Sequence, residues 1–194
     1  MQLFAPKLPD GLVLVDDFLT VEEHDRCIAV IDALPWSGEL RRRTQHYGSK
    51  YDYQTGRAEG PGTAPDAPHE LVDLAERLFR QEFFDKHPDQ IIVNEYLVDN
   101  DVTQGISAHR DRMDCFGEAI ATVSLVESWE MRFSCEDEPS IDVLLPKGSA
   151  AIMTGASRYE WKHSIPARRN DVIQNVKVPR HRRVSLTFRT LIAD

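Results

Sequence analysis

The chain has 194 residues, 41% hydrophobic and 28% charged, enough to bury the core of one domain and too apolar for a disordered tail. Its formal charge of −9 excludes a protein that coats nucleic acid with its whole surface, although two basic stretches stand out, Arg41-Arg42-Arg43 and residues 168–183. No apolar run approaches the roughly 18 residues of a membrane span, and no basic stretch leads into an apolar core near the start, so neither a membrane anchor nor a secretory signal is expected.

The first half mixes one strand, two helices and a long loop. Leu12-Val13-Leu14-Val15, bounded by Gly11 and Asp16, predicts a short buried strand. Thr20-Val21-Glu22-Glu23 has the capping-box form, and Cys27, Ile28, Ile31 and Leu34 follow at helical spacing until Pro35 stops them. A second helix is expected to begin near Pro68, where Leu71, Leu74, Leu78 and Phe79 make another stripe. Between the helices, residues 55–68 hold three Gly and three Pro, a composition that predicts a mobile surface loop or lid edge.

From Ile91 onward the period changes. Short β-rich runs are expected at 91–98, 104–110, 118–125, 130–135, 140–145, 149–153, 158–164, 172–178 and 183–191, separated by turn residues such as Pro139, Pro146-Lys147-Gly148 and Gly155. Many short strands behind two amphipathic helices predict a mainly β, α+β fold. Its core would be a jelly roll over residues 91–191, with the N-terminal helices packed on one sheet. One domain, 1–194, accounts for the whole chain. The three cysteines, Cys27, Cys115 and Cys135, have no metal-type spacing and read as reduced thiols of a cytoplasmic protein. Nothing in the sequence requires more than a monomer.

His109-Arg110-Asp111 puts an imidazole and a carboxylate on one face of a strand, where both can reach a single metal ion. Chance alone supplies such a pair, and His87-Pro88-Asp89 is a second one, set in a connection where Pro88 forces a turn. His163, late in the strand run, adds the third donor. Two His and one carboxylate on neighbouring strands form the facial set that binds Fe(II) and leaves positions open; the plain alternative for His163 is a core histidine.

The last strand adds a feature that iron alone does not require. In Arg183-Val184-Ser185-Leu186-Thr187-Phe188-Arg189 the alternation puts Arg183, Ser185, Thr187 and Arg189 on one face. Two guanidinium groups on one face of a central strand are costly to bury without anions, and a dicarboxylate gripped bidentately would solve the problem. Asn94 and Tyr96 share a face of an earlier strand and offer neutral hydrogen bonds to such a ligand. An edge strand with solvated arginines is the rival reading.

Together, Asn94-x-Tyr96, His109-x-Asp111, His163 and Arg183-x-Ser185-Leu186-Thr187-Phe188-Arg189 resemble the AlkB-type 2-oxoglutarate- and Fe(II)-dependent dioxygenases, over roughly residues 36–190. The resemblance implies a double-stranded β-helix, with iron held by His109, Asp111 and His163. Arg183 would hold the distal carboxylate of 2-oxoglutarate and Arg189 would lie by its other end, with Asn94, Tyr96 and Ser185 completing the pocket. It also implies O₂ as oxidant and oxidative dealkylation of N-alkylated bases in DNA or RNA. In the family the N-terminal region forms a substrate lid, here residues 36–68. Its segment from Arg41 to Tyr53 interleaves basic and aromatic side chains, which suits phosphate contact and base stacking; a solvated turn with core tyrosines is the alternative. Arg43, Tyr47 and Tyr51 are the candidates there, with Arg158 and Tyr159 close in sequence to His163.

Two departures are visible. Several DNA-repair members carry an acid two residues after the Asp ligand, where this chain has Met113, with Asp114 one place late; and the gap from Tyr96 to His109 is longer, crowded with Asp99, Asn100 and Asp101. Both keep open the same oxidative chemistry on tRNA or on a protein side chain. A binding module without turnover is the third reading.

Overall fold

The computed structural model describes residues 8–52 and 54–192. Tyr53, the last residue of the basic and aromatic segment, lies outside them.

β1 (Leu12–Val15) follows Gly11, whose φ of +84° and close approach to the Thr154 carbonyl leave no room for a side chain. α1 (Val21–Ala33) starts at the expected capping box, in which Thr20 Oγ1 accepts from Glu23 N–H while Glu23 Oε2 accepts from Thr20 N–H. Then come β2 (Arg43–Tyr47), β3 (Tyr51–Asp52), β4 (Arg57–Ala58) and α2 (His69–Arg80), with Pro68 as N-cap. The second half contains β5 (Gln90–Leu97), β6 (Ile106–His109), β7 (Phe116–Leu125), β8 (Trp129–Ser134), β9 (Ile141–Leu145) and β10 (Ala150–Met153). It ends with α3 (Gly155–Tyr159), β11 (Lys162–Ile165), β12 (Asn170–Ile173), β13 (Val176–Pro179) and β14 (Arg182–Leu191).

A six-stranded sheet, in the order β1-β10-β7-β14-β5-β2, and a four-stranded sheet, β6-β11-β8-β9, form the two walls of the jelly roll. Tyr96, Phe116 and Ile120 of the larger sheet interlock with Trp129, Phe133 and Leu145 of the smaller one. On the outer face of the larger sheet, Val93, Val123, Leu186 and Phe188 bury Cys27 and Ile31 of α1 and Leu71, Leu74 and Leu78 of α2. Each such aliphatic side chain contributes about 1.5–3 kcal/mol of burial. The strict alternation of β14 explains how one strand serves both layers, with Val184, Leu186 and Phe188 outward and Arg183, Ser185 and Arg189 inward.

Two expected strands are corrected. The run 158–164 is not one strand: Thr154 N–H donates to Ser157 Oγ at 3.1 Å and Ser157 Oγ donates to the Thr154 carbonyl at 2.8 Å, which starts α3, and β11 begins only at Lys162. The run 172–178 is a hairpin rather than a strand, turning at Gln174 and Asn175 with φ of +50° and +65°. The Gly/Pro-rich stretch is also more tied down than its composition predicts. Gly48 N–H donates to Pro65 O at 2.9 Å, Gly62 N–H to Gly48 O at 2.7 Å and Lys50 N–H to Thr63 Oγ1 at 3.0 Å.

Candidate active site

The site lies where the two sheets meet. His109 ends β6 and His163 stands in β11, directly opposite it in an antiparallel register. Asp111 is corrected from the strand face that the His-x-Asp spacing predicted: β6 ends at His109, and Asp111 sits in the loop between β6 and β7. The two imidazoles and the carboxylate present ligand atoms within 4.8 Å of one another. His109 Nδ1 lies 2.8 Å from the Ser107 carbonyl and donates to it, which leaves Nε2 as the lone-pair donor to a metal.

The electrostatics keep Asp111 and His163 in their ligating forms. Burial pushes the Asp111 carboxyl up, but Arg189, then His163, His109 and Arg158 outweigh it and hold it at about 2. Burial lowers His163 to about 4 against the opposing pull of Asp111, so its ring is neutral near pH 7. Two imidazoles and one carboxylate whose ligand atoms all lie within 4.8 Å of one another are the donor chemistry of Fe(II).

Arg189 lies against this set, and Arg183 stands further along the same inward face of β14. Arg183, 1% exposed, donates through Nη2 to Ser124 Oγ at 2.9 Å and stacks on Tyr96 at 5.7 Å, and burial depresses its pKa to about 10. Arg189 pairs through Nη1 with Asp111 Oδ1 and packs against Phe116 and Tyr51. The Nε atoms of both arginines are buried and have no hydrogen-bond partner among the described residues. Ser185 pairs with Asn94 across β14 and β5 and with Ser124 across β14 and β7, so a strip of neutral donors joins the anchors. Two buried guanidinium groups with unspent donors fit a dicarboxylate.

The candidate substrate residues separate. Tyr51 is half-buried at the site, its ring 5.8 Å from Phe116 and 5.6 Å from the Arg189 guanidinium. The β3–β4 hairpin that carries it crosses the 111–116 loop, where a Cβ on Gly56 would lie 3.4 Å from Arg112 Nη1. Arg43 and Tyr47 are corrected, because β2 is an edge strand of the larger sheet and both project from its outer face. Arg43 pairs with Glu95 and stacks on Trp36; Tyr47 is in the helix-side core, its hydroxyl donating to Gln45 Oε1 at 3.0 Å. Arg158 is 3% exposed, and its Nη1 and Nη2 go to main-chain carbonyls while its Nε has no hydrogen-bond partner among the described residues. Tyr159 lines a separate hollow of about 410 Å³ with Arg110, Ser134, Cys135 and Lys162, a hollow that includes none of the three ligands.

Alternation along β2 instead turns Thr44 and His46 inward, and Arg42, just before the strand, donates from Nε to Asn94 Oδ1 at 2.8 Å. Burial, then Arg189, Lys50 and Arg42, lower His46 to about 4. Three adjacent arginines hide which one faces in; only the register of β2 against β5 separates Arg42 from Arg43. Asp114 is exposed and paired with Arg112, so it does not take the place of an acid at Met113.

The profile of the 2OG-Fe(II) oxygenase superfamily matches residues 31–189. The chain is 32% identical over 181 residues to the tRNA (carboxymethyluridine(34)-5-O)-methyltransferase alkbh8 of Xenopus tropicalis, covering 89% of this chain and 28% of that protein. It is 31% identical over 203 residues to the alkylated DNA repair protein ALKBH8 homolog of Arabidopsis thaliana, covering 92% of this chain and 58% of that one. The solved structure of OsALKBH1 superimposes with a TM-score of 0.71 at 18% identity, over 95% of this chain and 98% of the other, which shows the shared fold. The chain therefore belongs to the 2OG-Fe(II) oxygenase superfamily. Within it, the chain is of the AlkB type. It spans about a quarter of the length of the alkbh8 relative. Among the described residues no helix is long and apolar enough to cross a membrane.

Proposed function

We propose that this chain is an Fe(II)- and 2-oxoglutarate-dependent oxygenase that oxidises an alkyl group on a base of nucleic acid. The observation that carries the reading is the meeting of His109, Asp111 and His163 beside two buried arginines with unspent donors. In this reading the three ligands hold iron, and Arg183 takes the distal carboxylate of 2-oxoglutarate while Arg189 lies by its other end. Asn94, Tyr96 and Ser185 complete that pocket. When bound, the iron and 2-oxoglutarate supply an oxidant from O₂, with succinate and CO₂ released. The chain's own work is to hold, orient and keep dry. His163 and Asp111 stay in their ligating protonation states, the β3–β4 hairpin covers the 111–116 loop, and Tyr51 offers a ring for stacking. An alkyl carbon on nitrogen, once hydroxylated, leaves as an aldehyde and returns the N–H.

A tRNA base is the second reading, favoured by Met113 where a cation-facing acid would stand and by the tRNA in the alkbh8 relative's name. The methyl transfer in that name is not carried over, because this chain spans only 28% of that protein. Three free thiols support a reducing, cytoplasmic setting, and we take the chain to act as a monomeric domain. The test is succinate formation with Fe(II) and O₂, run against a panel of alkylated DNA and RNA oligonucleotides, single- and double-stranded. Stimulation by one nucleic acid, falling steeply with salt, supports the reading; succinate formation stimulated only by a protein would replace the substrate. No succinate under any condition would overturn it.

A further inference from the structure

Arg158 lies in α3 and is 3% exposed. Its Nη1 donates to the Asp111 carbonyl at 2.7 Å, and its Nη2 reaches the carbonyls of Arg112 at 3.2 Å and Phe116 at 3.4 Å. One guanidinium therefore grips both ends of the loop that carries Asp111 from β6 to β7. The helix that bears it runs through Glu160 and Trp161 straight into β11, where Trp161 is core and His163 is the third ligand. The second ligand's backbone is thus hydrogen-bonded to the element that delivers the third.

Surface function does not account for this residue. A buried cation is costly unless its donors are used; here no carboxylate pairs with it among the described residues, both Nη atoms are spent on carbonyls, and Nε alone is left without a hydrogen-bond partner. Its planar fork goes to neutral carbonyls, a geometry that a lysine would not reproduce. The Tyr159 ring, 5.1 Å away, closes over it.

We propose that Arg158 is a positioning residue for the metal centre. It ties the Asp111 backbone to the helix leading into His163, and so sets how tightly and in what geometry the three ligands hold an ion. This rests on the reading of His109, Asp111 and His163 as ligands. Supporting contacts of this kind change metal affinity by about 10–100-fold.

The experiment loads the full chain with Co(II), whose visible absorption reports ligand geometry, and measures affinity by titration for wild type, Arg158→Lys and Arg158→Met. The expected result is a loss of about 10-fold for Arg158→Lys and about 100-fold for Arg158→Met, each with an altered spectrum. Thr20→Ala, which removes a distant helix cap, should lower the melting temperature and leave Co(II) affinity and spectrum unchanged. Folded Arg158 variants with wild-type affinity and spectrum would overturn the proposal. Should Arg158→Met fail to fold, Arg158→Lys decides on the same two readouts. A wild-type chain that binds no Co(II) would overturn the ligand reading, and this proposal with it, so the two failures look different.

Discussion

His163 stands opposite His109 across β6 and β11, with ring centroids 4.4 Å apart, and its Nε2 lies 3.7 Å from Asp111 Oδ2. Such crowding of polar groups in a buried place is costly for an empty protein and useful for one that loads an ion. Replacing His163 by Ala should drop succinate formation to background and abolish the rise in melting temperature on adding Fe(II) or Co(II). The melting temperature without metal should stay within a few degrees of wild type. Circular dichroism melts with and without metal check this.

Arg183 should govern the co-substrate alone. Its replacement by Met removes a charge-assisted bond of about 1.5–3 kcal/mol, so KM for 2-oxoglutarate should rise about 10- to 100-fold. KM for the alkylated oligonucleotide should barely move. Steady-state kinetics varying each substrate in turn distinguish the two, and equal changes would remove Arg183 from its assigned role.

Asp171 and Arg180 form a doubly bonded pair, at 2.6 and 2.7 Å, with both side chains 1% exposed and Trp129 under the guanidinium at 4.5 Å. Burial raises the Asp171 carboxyl, but the bonds to Arg180 and Arg168 overcome it and set it below its ordinary 3.8. The depressed value means that the pair's stability is fully present above about 3.8 and fades as pH falls through the lower folded value. Asp171→Asn should cost about 3–5 kcal/mol at pH 7, because it strands a buried cation. Urea melts from pH 7 down to 3 should show the gap between variant and wild type narrowing only at the acid end.

Substrate charge follows from the inward residues. With Arg183 and Arg189 given to the co-substrate in the proposed reading and Arg158 to main-chain carbonyls, Arg42 remains as an inward cation, and Met113, 46% exposed, supplies no carboxylate. Neutral alkylated bases should therefore be turned over faster than cationic ones of equal size. Competition between a neutral and a cationic modified oligonucleotide, followed by mass spectrometry, checks the order.

Cys27 is 2% exposed, and burial, with Glu70 and Glu23 adding to it, pushes its thiol up to about 11. Iodoacetamide at pH 8 should label the half-buried Cys115 and Cys135 in the folded protein and reach Cys27 only in denaturant. Peptide mapping of the label checks this.

Much of the site was legible because strand periodicity is local. The alternation of β14 announced which side of it faces inward, and the capping box at Thr20 announced α1. Several misreadings turn on register or on turns without glycine, while α3 was hidden by a short Thr154–Ser157 cap inside a β-rich run. Arg43 and Tyr47 looked like substrate contacts until the pairing of β2 with β5 put them on the outer face. The hairpin at Gln174 and Asn175 lacks the Asn-Gly signature, so it read as one strand. Arg158 was visible as a residue near a ligand, but its partners are carbonyls far away in sequence, and main-chain acceptors leave no trace in side-chain pattern.

The edge position of β6 has one further consequence. Among the described residues this four-residue strand pairs with β11 alone, yet it delivers His109 and leads into Asp111. An ion shared with His163 would act as a rivet through the sheet's outermost seam. Without the rivet, that seam should be the first to fray, so amide exchange along residues 106–109 would report directly whether the centre is loaded.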